Sequence, residues 1–125
     1  MNFTTIREAI EGRFISNWSD NNVAFENVPY KTPDEQNWAR LSVQFVSNEY
    51  NGLGECREII GLVGVQLYSP VRRGTLRQEQ FADEAVNIFS GSHDGIAYRD
   101  ADVISVGEVD GWYQLNILVE FTAKG

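Results

Sequence analysis

The closing segment of the chain constrains the fold most. Residues 112 to 122 read WYQLNILVEFT, and along them Tyr113, Leu115, Ile117, Val119 and Phe121 alternate with Trp112, Gln114, Asn116, Leu118 and Glu120. A side-chain period of two belongs to an extended strand, so the first set forms a wholly apolar face and the second a mixed one. The strand follows Val109-Asp110-Gly111, and Asp-Gly is a strong signal for a two-residue hairpin. A partner strand from Asp102 to Glu108 is therefore expected beside it, antiparallel.

Two more strands read in the same way. From Trp38 to Ser47, Ala39, Leu41, Val43 and Phe45 alternate with Trp38, Arg40, Ser42, Gln44 and Val46. The Asn- and Gly-rich NEYNGLGE then reads as a hairpin tip, with a return strand from Arg57 to Tyr68. That return strand is apolar on both faces, Ile59, Val63, Val65 and Leu67 against Ile60, Leu62 and Tyr68, which places it centrally in a sheet. Gly61 and Gly64 within it point to a bulge or to close packing against a helix. Ahead of these strands, AFENVPYKTP reads as an edge strand, Val23 to Val28, stopped by Pro29 and running into a Pro-bounded loop.

Helical spacing appears twice. Ile6, Ala9, Ile10 and Phe14 recur on one stripe between Thr5 and Ser16, with Thr5 and Glu8 spaced as a capping box. Phe81, Ala82, Ala85, Val86 and Phe89 do so between Thr75 and Phe89, with Thr75 and Gln78 spaced alike and Gly91 placed to cap the end. SGSHDG is then a turn, followed by a short extended piece around Ile96 to Tyr98. The order is α-β-β-β-α-β-β, the pattern of an α+β fold with a mainly antiparallel sheet and two helices packed on one face. With 125 residues and no internal repeat or linker, one domain spanning 1–125 is expected.

Composition closes off several functions. The net charge of −8 opposes sequence-independent nucleic-acid binding, which needs clustered Lys and Arg. The only such cluster is Arg72, Arg73 and Arg77, which reads either as a solvated loop or as a contact for an acidic partner. The lone Cys56 permits no internal disulfide and falls short of a zinc site. No run approaches the ~20 apolar residues of a membrane helix and the N-terminus is charged, so a soluble protein of the cytoplasm is expected. His93, the one histidine, sits in a Gly- and Ser-rich turn beside Ser92 and Asp94, and adjacency in sequence is no mark of a catalytic triad. The acidic pairs Asp100 with Asp102 and Glu108 with Asp110 lack the ligand spacing of a calcium loop, and GLVG and NGLG lack the Lys of a phosphate cradle. No catalytic, cofactor or metal residue is expected.

What remains is an apolar surplus. Trp38, Val46, Ile60, Leu62, Tyr68, Trp112 and Leu118 all fall on strand faces opposite the clearest apolar stripes. Helices on one face of a sheet leave the other to water, so neighbouring strands would gather these residues into an exposed patch, and such patches mark protein interfaces.

The segments TIREAIEGRF, VAFENVPYKTPDEQNWARLSV and VGEVDGWYQLNILVEFTAKG together resemble the tail terminator-like family of tailed bacteriophages and prophages, over nearly the whole chain. The resemblance implies a small α+β subunit that assembles as a six-fold ring on the end of the growing tail tube, stops polymerisation and offers a surface to head-completion proteins. It implies a location in the virion tail, and in the host cytoplasm during assembly. DNA would only pass through the lumen. On that reading NEYNGLGE and YSPVRRGT are the partner-contact loops, with Tyr50, Leu53, Arg72 and Arg73 as the contact residues. Two other readings stand beside it: a head-tail connector or neck protein of the same particle, and an α+β module binding a small molecule.

Overall fold

A computed structural model describes residues 2–33, 35–50, 57–71 and 76–124. The chain begins with α1 (Phe3–Asn17), whose Ile6, Ile10 and Phe14 are wholly buried. The helix starts earlier than Thr5. Asn2 is the N-cap: its side chain accepts from the Thr5 backbone N–H at 2.9 Å, and Thr5 Oγ1 accepts from the Asn2 backbone N–H at 2.9 Å. Thr5 thus fills the third helical position of the box, the role that spacing alone gives to Glu8.

Six strands follow among the described residues: β1 (Val23–Phe25), β2 (Trp38–Tyr50), β3 (Arg57–Pro70), then, after α2 (Leu76–Ile88), β4 (Gly91–His93), β5 (Ile96–Val109) and β6 (Trp112–Lys124). They form one sheet in the order β1-β2-β3-β6-β5-β4. Every pair is antiparallel except β1 with β2. The fold is α+β as expected, with β1 at one edge and β3 and β6 at the centre. One strand goes beyond the expected order. SGSHDG is half of a second hairpin, with Asp94 (φ 54°) and Gly95 (φ 80°) in the same left-handed pair that Asp110 (φ 51°) and Gly111 (φ 83°) make at the β5–β6 turn.

Both helices cover the same face of the sheet. Leu41 and Val43 of β2, Ile59, Val63, Val65 and Leu67 of β3, and Ile117, Val119 and Phe121 of β6 pack there with α1 and with Phe81, Ala82, Ala85, Ile88 and Phe89. Phe14 stacks on Trp18 and Phe89, with ring centroids 4.7 and 6.0 Å apart. Polar ties lock the layers. Arg13 Nε donates to the Ile88 carbonyl at 2.6 Å, and Ser19 donates to Glu84 through both its backbone N–H and its hydroxyl. The buried Gln78 amide donates to the carbonyls of Leu67 (3.1 Å) and Tyr113 (2.8 Å), fastening α2 to both central strands. The expected pairing of Gln78 with Thr75 lies outside the described residues.

Gly61 sits at a close approach of strands. A Cβ there would meet the Gln44 carbonyl oxygen and the Phe121 ring, both at 2.5 Å. The close approach is to β6 and to the neighbouring β2 backbone rather than to a helix. The bulge expected near it sits across the ladder in β2, where Phe45 opposes Gly61 and Ser47 opposes Ile60, leaving Val46 as the extra residue.

Candidate subunit interface

The sheet face away from the helices can be read row by row from the ladders. At one end lie Trp38, Tyr68 and Gln114; next come Arg40, Gln66, Asn116 and Ile104; then Ser42, Gly64, Leu118 and Asp102; then Gln44, Leu62 and Glu120; last, Ile60 with Thr122. Alternation therefore assigned Trp38, Tyr68, Trp112, Ile60, Leu62 and Leu118 to the correct face. What it does not supply is their grouping. The polar row Arg40, Gln66, Asn116 divides them into an aromatic end and an aliphatic centre.

The aromatic end is covered by the chain itself. Tyr30, from the loop after β1, stacks on Trp38 with centroids 5.3 Å apart, Tyr68 stacks on its ring at 4.0 Å, Trp112 meets it edge-on at 5.9 Å, and Arg40 lies 5.6 Å from its ring centre. Trp38 is left only 6% exposed, so it does not stand bare on the surface as expected from its position. Its Nε1 and the Nδ2 of Asn37 are buried without a hydrogen-bond acceptor. Burial pushes the Tyr68 phenol above its ordinary pKa, with Arg40 pulling the other way. The Tyr30 phenol is raised by burial and then by the charge of Asp20.

The aliphatic centre is open. Leu118, Leu62 and Ile60 are half-buried, ringed by Gln44, Glu120 and Thr122. Val46 stands apart in its bulge, 62% exposed. Of the residues expected in partner-contact loops, Tyr50 ends β2 opposite Arg57, and its side chain is outside the described residues, as are Leu53, Arg72 and Arg73.

The two edges of the sheet are finished differently. On the β1 side, β2 beyond Leu41 is blocked: the Val43 backbone N–H donates to Glu26 Oε1, and Arg7 donates to the Val43 carbonyl at 2.9 Å while pairing with Glu26 at 3.0 Å. Charged side chains that occupy an edge in this way discourage a further strand. On the other side, β4 pairs only with Ile96, Ala97 and Tyr98 of β5. Among the described residues, the rest of β5 has β6 on one flank and no strand on the other, and it carries exposed Val103, Ile104, Val106 and Val109. The sequence reading placed a strand here but missed its edge position. Its signal was the run Val103, Ile104, Val106, apolar on both faces yet flanked by Asp100, Asp102, Glu108 and Asp110, charges that suit an exposed edge.

The His93 ring nitrogen hydrogen-bonds the Ser90 carbonyl at 2.8 Å, within its own turn. No cluster of three or more His, Cys, Asp or Glu occurs among the described residues. No helix among them is long and apolar enough to cross a membrane.

The family model described as phage tail terminator protein matches residues 5–121. This chain belongs to the phage tail terminator family. Its role is accordingly that of a structural component of tail assembly, in a family that is structural rather than catalytic. A comparison with curated proteins finds no match. Eleven chains of solved structures match. One, 21% identical, covers 98% of this chain and 96% of its own with a TM-score of 0.74, a likeness of fold. For a tail terminator, an open sheet face and a free sheet edge are surfaces on which other tail components can be sought.

Proposed function

We propose that this tail terminator closes into a homo-oligomeric ring, of six copies, on the end of the tail tube, where it stops polymerisation and presents a surface to head-completion proteins. The observation that carries this reading is the family match, taken with apolar side chains left open on one sheet face and along β5. A ring needs heterologous contacts, one patch against a different patch of the neighbour, and this chain offers two unlike edges for them. The interface residues are Ile60, Leu62, Leu118 and Val46, with Tyr68, Trp112 and the covered Trp38 forming a rigid aromatic shoulder. The orphaned Trp38 and Asn37 donors, each costing about 1–3 kcal/mol, are buried within this shoulder.

Tyr50, Leu53, Arg72 and Arg73 are the proposed contacts to tube and head proteins. Six copies at −8 each sum to about −48, a field that keeps transiting DNA from adhering to the lumen. No cofactor is required. Mass measured in solution with and without tail tubes tests the ring, and a chain that stays single on tube ends rejects it. Electron microscopy of particles assembled without this protein separates two roles. Overlong tails support termination; tails of normal length lacking heads point to a neck protein instead.

A further inference from the structure

Two charged groups on the open face have no ion-pair partner among the described residues, and they stand toward opposite sides of the sheet, Arg40 on β2 just inside β1 and Asp102 on β5. Arg40, exposed on β2, lies against the Trp38 ring, with no carboxylate within ion-pair distance among the described residues. Asp102 is exposed on β5, on the same face as Leu118 and Arg40. Arg40 and Ile104 share one transverse row, running Arg40, Gln66, Asn116, Ile104, and Asp102 is two residues along β5 in the next row.

The surroundings of each match the other. Beside Arg40, the chain leaves β1 through Asn27 (φ 57°) and folds back, forming an open groove of about 440 Å³ lined by Phe25, Glu26, Asn27, Val28, Pro29 and Arg40. Glu26 is already engaged by Arg7 and the Val43 N–H, so Arg40 is the free charge of the groove, and Val28, 58% exposed, is its apolar wall. Across the sheet, β5 offers Ile104, 47% exposed, flanked by Asp102. The segment 99–110 carries Asp100, Asp102, Glu108 and Asp110 against the single base Arg99, which lies 3.9 Å from Glu120. Two β5 strands of sister copies would set these like charges against each other, which is destabilising for directly opposed residues. A second copy presenting its β1 edge would not.

The strand directions agree as well. β1 runs with β2, β3 runs against β2, β6 against β3 and β5 against β6, so β5 is antiparallel to β1. Copies repeated side by side about an axis along the strands preserve that relation.

We propose that β5 of one copy lies antiparallel against β1 of the next, with Ile104 seated in the groove beside Val28 and Asp102 paired to Arg40. This contact rests on the ring reading and specifies its seam. Arg40 stands one strand in from that seam, opposite Ala24 of β1, so with the copies level Asp102 lies two strand spacings and two residues away, about 12 Å between Cα atoms, a span that an extended arginine and the carboxylate bridge over β1. Because the surfaces differ, the contact is heterologous and propagates from copy to copy until it closes.

The test uses the full chain with tail tubes present. Asp102→Arg and Arg40→Asp should each reduce the assembled fraction about tenfold or more, and the chain carrying both changes should recover it, since each seam then regains an opposite pair. In a Cys56→Ser background, Val28→Cys with Ile104→Cys should give an oxidised ladder of covalent multimers up to the ring, and either cysteine alone should give at most dimers. A wild-type chain that forms rings while the double-cysteine chain gives no ladder overturns this seam and leaves the ring standing. Equal assembly of wild type, Asp102→Arg and Arg40→Asp also overturns it. A wild-type chain that stays single even on tube ends removes the ring and the seam together.

Discussion

Leu62 and Val63 are neighbours in β3, and the contrast between them is the contrast between the two faces of the sheet. Val63 is wholly buried between Val43 and Val119, beneath the helices. Leu62 lies between Gln44 and Glu120 on the face the helices leave open, and it is only half-buried. One side of the strand holds the fold together; the other is left open. The lesson is that an apolar residue in a central strand has two meanings, and only the layer above it decides which.

Substitutions can break that contrast in graded steps. Val63→Asp should have the largest effect, because an unpaired carboxylate in a dry core is among the few changes that cost more than about 4 kcal/mol. The cooperative urea transition should be lost, and a native-like transition would contradict the assignment of that face to the core. Gly61→Ala comes next. A methyl group pressed on the Gln44 carbonyl and the Phe121 ring should cost about 1–3 kcal/mol, read as a lowered urea midpoint with unchanged slope.

The covered face also has a pH signature. Burial raises the Tyr98 phenol to about 12, Arg13 opposing and Asp94 adding to the shift. The folded state therefore favours the neutral phenol. Its contribution is complete below the unfolded value near 10 and is lost as pH rises from there toward 12. Tyr98→Phe should lose about 2 kcal/mol less than wild type across that window in urea melts at stepped pH. An identical decline would show that Tyr98 is solvated.

Leu62→Asp should be the mildest for stability, within about 1 kcal/mol of wild type, yet it should abolish ring formation by sedimentation. A ring of normal mass would move assembly off the aliphatic centre and onto the β5–β1 seam alone. Replacing Arg72 and Arg73 together by Glu should leave both melting and ring mass unchanged while lowering capture on tube ends.

How much of this was legible beforehand follows from the range of the interactions. The alternation in β6 and the Asp110-Gly111 turn are local, and both strand and hairpin came out as read. The Asp94-Gly95 turn has the same local chemistry but joins a strand of only three residues, too short for a period to register. Side-chain faces were legible from period two up to the bulge at Val46, where an inserted residue resets the count. The subdivision of the open face was not, because placing Arg40, Gln66 and Asn116 in one row depends on the registers of three strands at once. Nor was the covering of Trp38 by Tyr30, since a loop's landing place is a tertiary matter. The guard at Val43 joins Arg7, Glu26 and Val43, residues distant in the chain, through polar contacts that leave no mark in hydropathy.

That guard has a consequence for precision. With both outward main-chain groups of Val43 already occupied, a strand docked along the three residues of β1 cannot run on continuously onto β2. In the proposed ring, sliding toward the far hairpin would require breaking a salt-bridged clasp, so the guard would act as a stop, fixing the height at which neighbours meet and keeping successive subunits level instead of climbing into a spiral.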